Sequence, residues 1–140
     1  METRLADLTN AEETAHYIDE NTACVYVEII TNPQMEVADI GALSKVVHKK
    51  GTILVADTTL IPFTQFSSRN LGIDIEVVSS TKYISGGATS LGGLVIDYGM
   101  LEGFTGKIHG EQLFNFGAYM TPQVAHFQTI GLETLVVCKL

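Results

Sequence analysis

The feature that most constrains the fold is a series of short, almost wholly apolar segments that alternate with segments of helical periodicity. The predicted strands cover residues 23–30, 52–56 with Asp57 at the end, 73–78 and 93–97. Near-continuous apolar strands are typical of a parallel sheet covered on both faces, and their alternation with helices favours the same arrangement. The sequence therefore predicts an α/β fold with a mostly parallel sheet and helices on both faces.

The helical segments carry recognisable end signals. The predicted helices cover residues 11–20, 38–50, 111–118 and 123–130. Asn10 stands where the first helix needs an N-cap, and Glu13 follows at the spacing of a capping box. Gly51 suits the end of the second helix. Gly131 is predicted to begin a further segment after the fourth.

Polar side chains follow three of the predicted strands, at the point where each strand ends. Asn32 follows the first strand and Asp57 closes the second. Three more follow the third strand, namely Ser79, Thr81 and Lys82. In open α/β sheets, chemistry collects just beyond the carboxyl ends of the strands. We therefore expect these five residues to share one site.

These residue types match what pyridoxal 5'-phosphate (PLP) requires. The amine of Lys82 can form a Schiff base, and the hydroxyls of Ser79 and Thr81 can donate to the phosphate. The carboxylate of Asp57 can keep the pyridine nitrogen protonated, and the amide of Asn32 can bind the phenolic oxygen. Four of these residues also have a plainer explanation. Lys82 could be a surface lysine, Asp57 could cap a helix or stabilise a turn, and the hydroxyls of Ser79 and Thr81 could serve a turn.

The net charge excludes some classes of binding partner, and the cysteines indicate the redox state of the compartment in which the protein works. The formal net charge of −8 argues against nucleic acid and against an anionic membrane surface. No apolar run reaches the roughly 20 residues of a membrane span, and the N-terminus lacks a signal-peptide pattern. Cys24 and Cys138 lie far apart in apolar surroundings, which indicates buried free thiols in a reducing cytoplasm.

Neither a metal site nor a nucleotide loop is predicted. The 4 histidines show no ligand spacing, and the two cysteines add none. The glycine-rich stretch 85–93 lacks the Gly-x-Gly-x-x-Gly and Walker patterns. We expect it to let the backbone pass close to Lys82 and to lead into the fourth strand.

Together, the motifs resemble those of the Cys/Met-metabolism family of PLP enzymes. They are Glu28-x-x-Thr31-Asn32-Pro33, Val37-x-Asp39-Ile40, Val55-x-Asp57-x-Thr59, Ser79-x-Thr81-Lys82-Tyr83, Gly92-Gly93 and Gly131-Leu132-Glu133-Thr134-Leu135. The intervals from Asn32 to Asp57 and from Asp57 to Lys82 are both 25 residues (57 − 32 and 82 − 57), which fits the family's layout. The glycine-rich stretch, with Met120-Thr121-Pro122-Gln123, is most similar to the O-acetylhomoserine sulfhydrylase branch.

The resemblance implies a fold-type-I PLP enzyme of sulfur amino-acid metabolism. It implies Lys82 as the Schiff-base lysine and Asp57 as the partner of the pyridine nitrogen. It also implies Ser79 and Thr81 as phosphate ligands, with Asn32 near the ring oxygen. The implied reaction is γ-replacement on O-acetylhomoserine-type substrates, in homocysteine and methionine synthesis. The alternatives are γ-elimination, as in methionine γ-lyase or cystathionine lyases, and an inactive truncated form.

The resemblance also bears on domains and assembly. Family chains are far longer than 140 residues, so residues 1–140 are expected to form one partial PLP-binding large domain. The family's N-terminal segment and C-terminal small domain are expected to be absent. Activity is therefore expected of the longer family protein and is not assumed for this chain alone. Family members are usually dimers or tetramers that act on small amino-acid substrates, so a homo-oligomer is expected.

Overall fold

A four-stranded sheet organises the structure, which is a computed structural model that describes residues 2–61, 66–110 and 120–137. The strands are β1 (Cys24–Glu28), β2 (Ile53–Asp57), β3 (Ile75–Val78) and β4 (Leu94–Asp97), and they lie in that order across the sheet. The first three pair in parallel, with Asp57 opposite both Glu28 and Val77. β4 runs antiparallel to β3. The predicted α/β fold with a mostly parallel sheet is confirmed.

Helices and two 3₁₀ turns connect the described strands. The helices are α1 (Ala11–Thr14), α2 (Ile40–Lys49), α3 (Phe104–Gly110) and α4 (Pro122–Val137), and the turns are Ala15–Tyr17 and Ser68–Leu71. Asn10 caps α1 as predicted, because its Oδ1 accepts a hydrogen bond from the backbone N–H of Glu13. α2 begins after Asp39, whose Oδ1 accepts from the backbone N–H of Ala42.

The hydrophobic core lies between α2 and one face of the sheet. Alternation along β1 and β2 directs every second side chain to this face. The buried apolar side chains that meet there are Val25, Val27, Leu43, Val47, Leu54 and Ala56. Each large aliphatic side chain buried in this way stabilises the fold by about 1.5–3 kcal/mol relative to exposure. The strand ends that carry polar residues are therefore fixed to a rigid layer.

The second face of the sheet is less covered. On β1, Cys24, Tyr26 and Glu28 alternate with the core residues and are exposed, Tyr26 by 52%. Near β4, α3 approaches this face, where the hydroxyl of Thr105 donates to Asp97 Oδ2 at 2.7 Å. The prediction of a buried thiol at Cys24 is wrong, because strand alternation places this free thiol on the open face. Cys138 lies outside the described residues.

The structure corrects two predicted boundaries. The first helix ends at Thr14 and continues as a 3₁₀ turn only to Tyr17, short of residue 20. α4 runs through Gly131 as one helix, so no new segment begins there. The predicted helix over 111–118 lies outside the described residues.

Among the residues that the structure describes, no helix combines the length and the apolar character that crossing a bilayer demands. The same residues contain no group of three or more His, Cys, Asp or Glu side chains arranged to hold a metal ion.

Candidate functional site

A cavity of about 800 Å³ lies where the parallel strands end. All five residues predicted from the sequence line it, namely Asn32, Asp57, Ser79, Thr81 and Lys82. They come from three successive strand ends, because β1, β2 and β3 all point the same way. The structure therefore brings the predicted set together, as the rule for carboxyl ends of parallel strands anticipates.

The carboxylate of Asp57 is held at both oxygens. Oδ1 accepts a hydrogen bond from the backbone N–H of Thr59 at 2.9 Å, and Oδ2 accepts from the hydroxyl of Tyr26 at 2.8 Å. The ion pairs among the described residues involve other side chains and leave Asp57 without a cationic partner. A half-buried carboxylate in this position can accept a further, charged donor.

The segment after β3 forms a turn that carries the lysine. The backbone N–H of Lys82 donates to Ser79 O at 3.2 Å. Thr81 joins this turn to Gly92, because its hydroxyl donates to Gly92 O at 3.2 Å and accepts from Gly92 N at 3.0 Å. The hydroxyl of Ser79 makes no hydrogen bond to another described residue. Of the two predicted hydroxyls, Ser79 is thus the more available, and Thr81 is already engaged with backbone.

Thr59 links the two strand ends, and reasoning from the residues alone had assigned it no role. Its backbone N–H donates to Asp57, and its hydroxyl accepts from the backbone N–H of Ser79 at 2.8 Å. Thr59 also lines the cavity. The only signal for it in the sequence was its place in the motif Val55-x-Asp57-x-Thr59.

Glu28 belongs to the cavity more directly than predicted. Its position within the first predicted strand favours a residue that is structural or that supports the site indirectly, but Glu28 is exposed at the end of β1 and lines the cavity. Its Oε2 accepts from the backbone N–H of Asn32 at 3.4 Å. This contact is long, yet it ties the turn after β1 to the strand.

Tyr26 is a second residue that the sequence reasoning missed. It belongs to β1, and its phenol reaches Asp57 on the neighbouring strand. Partial burial, together with the hydrogen bond to Asp57, raises the pKa of Tyr26 to about 12. The phenol therefore stays protonated, and stays a donor, throughout the neutral range. Alternation along β1 predicts which face Tyr26 occupies but does not identify its partner.

A buried polar cluster supports the loop that follows Asp57. Glu76 of β3 is buried, and its carboxylate accepts hydrogen bonds from the hydroxyls of Thr58, Ser68 and Tyr98. Burial, together with the bond to Glu76, raises the pKa of Tyr98. Because Thr58 directly follows Asp57 in the chain, this cluster holds the end of β2 in place.

Glycines close one wall of the cavity. Gly86 and Gly87 adopt positive φ angles of 68° and 113° in the turn after Lys82. Gly131 of α4 packs directly on this turn, where a Cβ would stand only 2.5 Å from Ile84 O. The glycine-rich stretch thus allows close backbone approach beside Lys82, as the sequence predicted.

Comparison with known sequences relates the chain to one enzyme family. The family profile described as Cys/Met metabolism PLP-dependent enzyme matches residues 1–138. A canavanine gamma-lyase from Pseudomonas canavaninivorans is 33% identical over 96% of this chain. The chain spans about a third of that relative, 33% of its length.

Solved structures show the same relationship in three dimensions. An O-acetylhomoserine sulfhydrylase from Wolinella succinogenes superposes with a TM-score of 0.80 at 40% identity, covering 96% of this chain and 43% of that chain. A putative O-acetylhomoserine (thiol)-lyase from Campylobacter jejuni gives a TM-score of 0.85 at 26% identity, covering 94% and 40%. The latter was solved with N'-pyridoxyl-lysine-5'-monophosphate.

Proposed function

The chain belongs to the Cys/Met metabolism family of PLP-dependent enzymes, and from this premise we propose that its cavity binds PLP with Lys82 as the point of attachment. For the whole protein we propose γ-replacement on O-acetylhomoserine-type substrates, leading to homocysteine and methionine. The observation that carries the proposal is the convergence of Lys82, Asp57 and Ser79 on one cavity at the ends of the parallel strands.

The residues present fit this cofactor. Asp57 offers a carboxylate without a cationic partner among the described residues, and a protonated ring nitrogen would supply one. The hydroxyl of Ser79, which bonds no other described residue, can donate to a phosphate. Thr81 offers a second hydroxyl, provided that it turns away from Gly92. A lysine amine on the same cavity completes the set.

Each residue has a distinct part in the proposed chemistry. When bound, PLP accepts electrons from the carbanion of an amino-acid substrate. Lys82 would hold the cofactor covalently, and as a free amine it would take and return protons. The carboxylate of Asp57 would favour the cationic form of the ring. The side-chain amide of Asn32 can donate to the ring oxygen.

The comparisons support replacement and elimination to different degrees. The similarity to an O-acetylhomoserine sulfhydrylase, at 40% identity, supports replacement. The similarity to a canavanine gamma-lyase, at 33% identity, supports γ-elimination as the second candidate. We favour replacement because the sulfhydrylase is the more similar of these two proteins.

Three wider features of the protein are also proposals. We propose that residues 1–140 are part of a larger PLP-binding domain, because the chain spans only 33% of a curated relative. We propose a homo-oligomer, dimer or tetramer, and a cytoplasmic location, on the strength of the family resemblance. The oligomer is tested by light scattering and the location by imaging or fractionation of cells that express the tagged protein.

The test of the cofactor site is direct. The purified chain is mixed with PLP, its visible spectrum is recorded, and the mixture is reduced with borohydride before peptide mapping. We expect a band at roughly 420 nm, from the general chemistry of this cofactor, and a reduced adduct on Lys82. Lys82→Ala should lose both, whereas Lys45→Ala, at an exposed position of α2, should keep both. A spectrum of free PLP, or an adduct on another lysine, would contradict the proposal.

A second assay separates the two reactions. The PLP-loaded protein is incubated with O-acetylhomoserine, with and without sulfide. Replacement consumes sulfide and yields homocysteine and acetate, whereas elimination with water yields acetate, ammonia and a 2-oxo acid without any need for sulfide. Formation of the 2-oxo acid alone would favour the lyase candidate.

A further inference from the structure

We propose that Tyr26 is a positioning residue for Asp57, whose carboxylate it holds ready for a cationic heterocycle in the cavity. This inference rests on the proposed function, because an oriented Asp57 carboxylate matters only if the cavity binds the PLP ring. It goes beyond that function by adding a residue that does not itself line the cavity.

The contact follows from the register of the sheet. Glu28 pairs with Asp57, and Tyr26 pairs with Val55, so Tyr26 and Asp57 are diagonal neighbours on parallel strands. Both belong to the face opposite the core. A tyrosine is long enough to reach a diagonal neighbour. The resulting O···O distance is 2.8 Å, well within the range of a strong hydrogen bond to a carboxylate.

Two donors on two oxygens restrain the carboxylate. The terminal torsion of an aspartate is broad, so a single contact leaves the plane of the group free to turn. Thr59 N donates to Oδ1 and Tyr26 donates to Oδ2, which fixes that plane. A carboxylate has about four acceptor sites, so these bonds leave capacity for another donor.

A tyrosine suits this task because it brings a hydrogen bond without a charge. A lysine or arginine in its place would neutralise Asp57 and compete with a cationic ring nitrogen. The phenol stays protonated, because partial burial and the bond to Asp57 raise the pKa of Tyr26 to about 12. Tyr26 therefore orients the carboxylate without adding a cation that would compete with the ring nitrogen.

The first measurement needs no cofactor. NMR follows the titration of the Tyr26 ring carbon that bears the hydroxyl, assigned by its loss in Tyr26→Phe. We expect the wild-type phenol to titrate near 12, above the ordinary value of 10.0, and to move toward 10.0 in Asp57→Asn. A pKa of Tyr26 that is the same in the wild type and in Asp57→Asn would overturn the proposal, because the bond would then be absent in solution.

The second measurement uses the PLP-loaded chain. Tyr26→Phe should raise the Kd for PLP by about three- to tenfold, the loss expected for one hydrogen bond. The pH midpoint of the visible band should shift in the same direction as in Asp57→Asn, but less. The matched control is Tyr17→Phe, since Tyr17 is 40% exposed and lies outside the cavity. It should leave both values unchanged.

The two measurements separate this inference from the proposed function. If Tyr26→Phe binds PLP as tightly as Tyr17→Phe and with the same pH midpoint, the positioning role is refuted although the cofactor site stands. If the wild type forms no adduct on Lys82, the proposed function fails. The NMR titration then still decides whether Tyr26 holds the carboxylate of Asp57.

Discussion

Gly131→Ala tests whether close packing of α4 on the turn after Lys82 shapes the cavity. Gly131 lies inside α4 and lines the cavity together with Gly86. A Cβ at this position would stand 2.5 Å from Ile84 O and 2.7 Å from Gly86 N. These are backbone atoms, so no side chain can move aside to relieve the contact.

The magnitude follows from two opposing effects. Ordinary contacts of a Cβ begin at 3.4 Å, so α4 must move away from Ile84 by about 0.9 Å. Overpacking of a tight contact costs about 1–3 kcal/mol, and this shortfall places Gly131→Ala in the upper part of that range. Alanine in place of glycine inside a helix stabilises the folded state by up to about 1 kcal/mol, because its helix propensity is higher. We therefore expect a net loss of about 1–2 kcal/mol in the free energy of unfolding.

The assay is urea denaturation followed by circular dichroism, with Gly41→Ala as the matched control. Gly41 also lies inside a helix, α2, but a Cβ there would meet only Asp39 Oδ1 at an ordinary 3.5 Å. That variant should be neutral or more stable by about 0.5–1 kcal/mol. The reasoning is refuted if Gly131→Ala is as stable as the wild type, or if both substitutions change stability equally.

Three other predictions concern single hydrogen bonds of the fold and of the site. Asp74→Ala should lower the free energy of unfolding by about 1–3 kcal/mol in urea melts, because Asp74 Oδ2 accepts from the buried Leu54 N–H at 2.7 Å; an unchanged midpoint would contradict this. Thr58→Val should cost about 1.5–3 kcal/mol by removing a donor to the Glu76 carboxylate, and Thr58→Ser should restore most of it by the same measurement. The pKa of Tyr26 is raised to about 12 in the folded state, so the stability linked to it is present below pH 10 and is lost as the pH rises toward 12. Thermal melts should show a shallower alkaline loss in Tyr26→Phe than in the wild type, and identical slopes would refute the linkage.

The strand ends and their polar residues could be predicted because the signals are local. The apolar runs that became β1, β2 and β3 stop at a polar residue or a turn, and Asp57 and Lys82 stand at or just past such stops. Because parallel strands share one carboxyl edge, their grouping in one cavity followed without knowledge of any contact. The roles of these residues toward PLP remain predictions.

Other features could not be predicted because they depend on partners distant in the chain. No local pattern predicts that α4 continues through Gly131, since glycine is as typical of a helix end as of a tight contact. In the structure this glycine serves the tight contact, because a Cβ there would stand 2.5 Å from Ile84 O. Likewise, alternation along β1 assigns Tyr26 a face, but only the pairing of β1 with β2 brings its hydroxyl to Asp57.

The sequence by itself determined the α/β class, the four strands with the helices α1, α2 and α4, and a set of residues chemically suited to PLP. It could do so because apolar runs, capping signals and motif spacing are all short-range properties. The tertiary structure alone decided the antiparallel pairing of β4, the exposure of Cys24, and the hydrogen bonds that orient Asp57. These features arise from register and packing between separate elements, and no local pattern specifies which groups will meet.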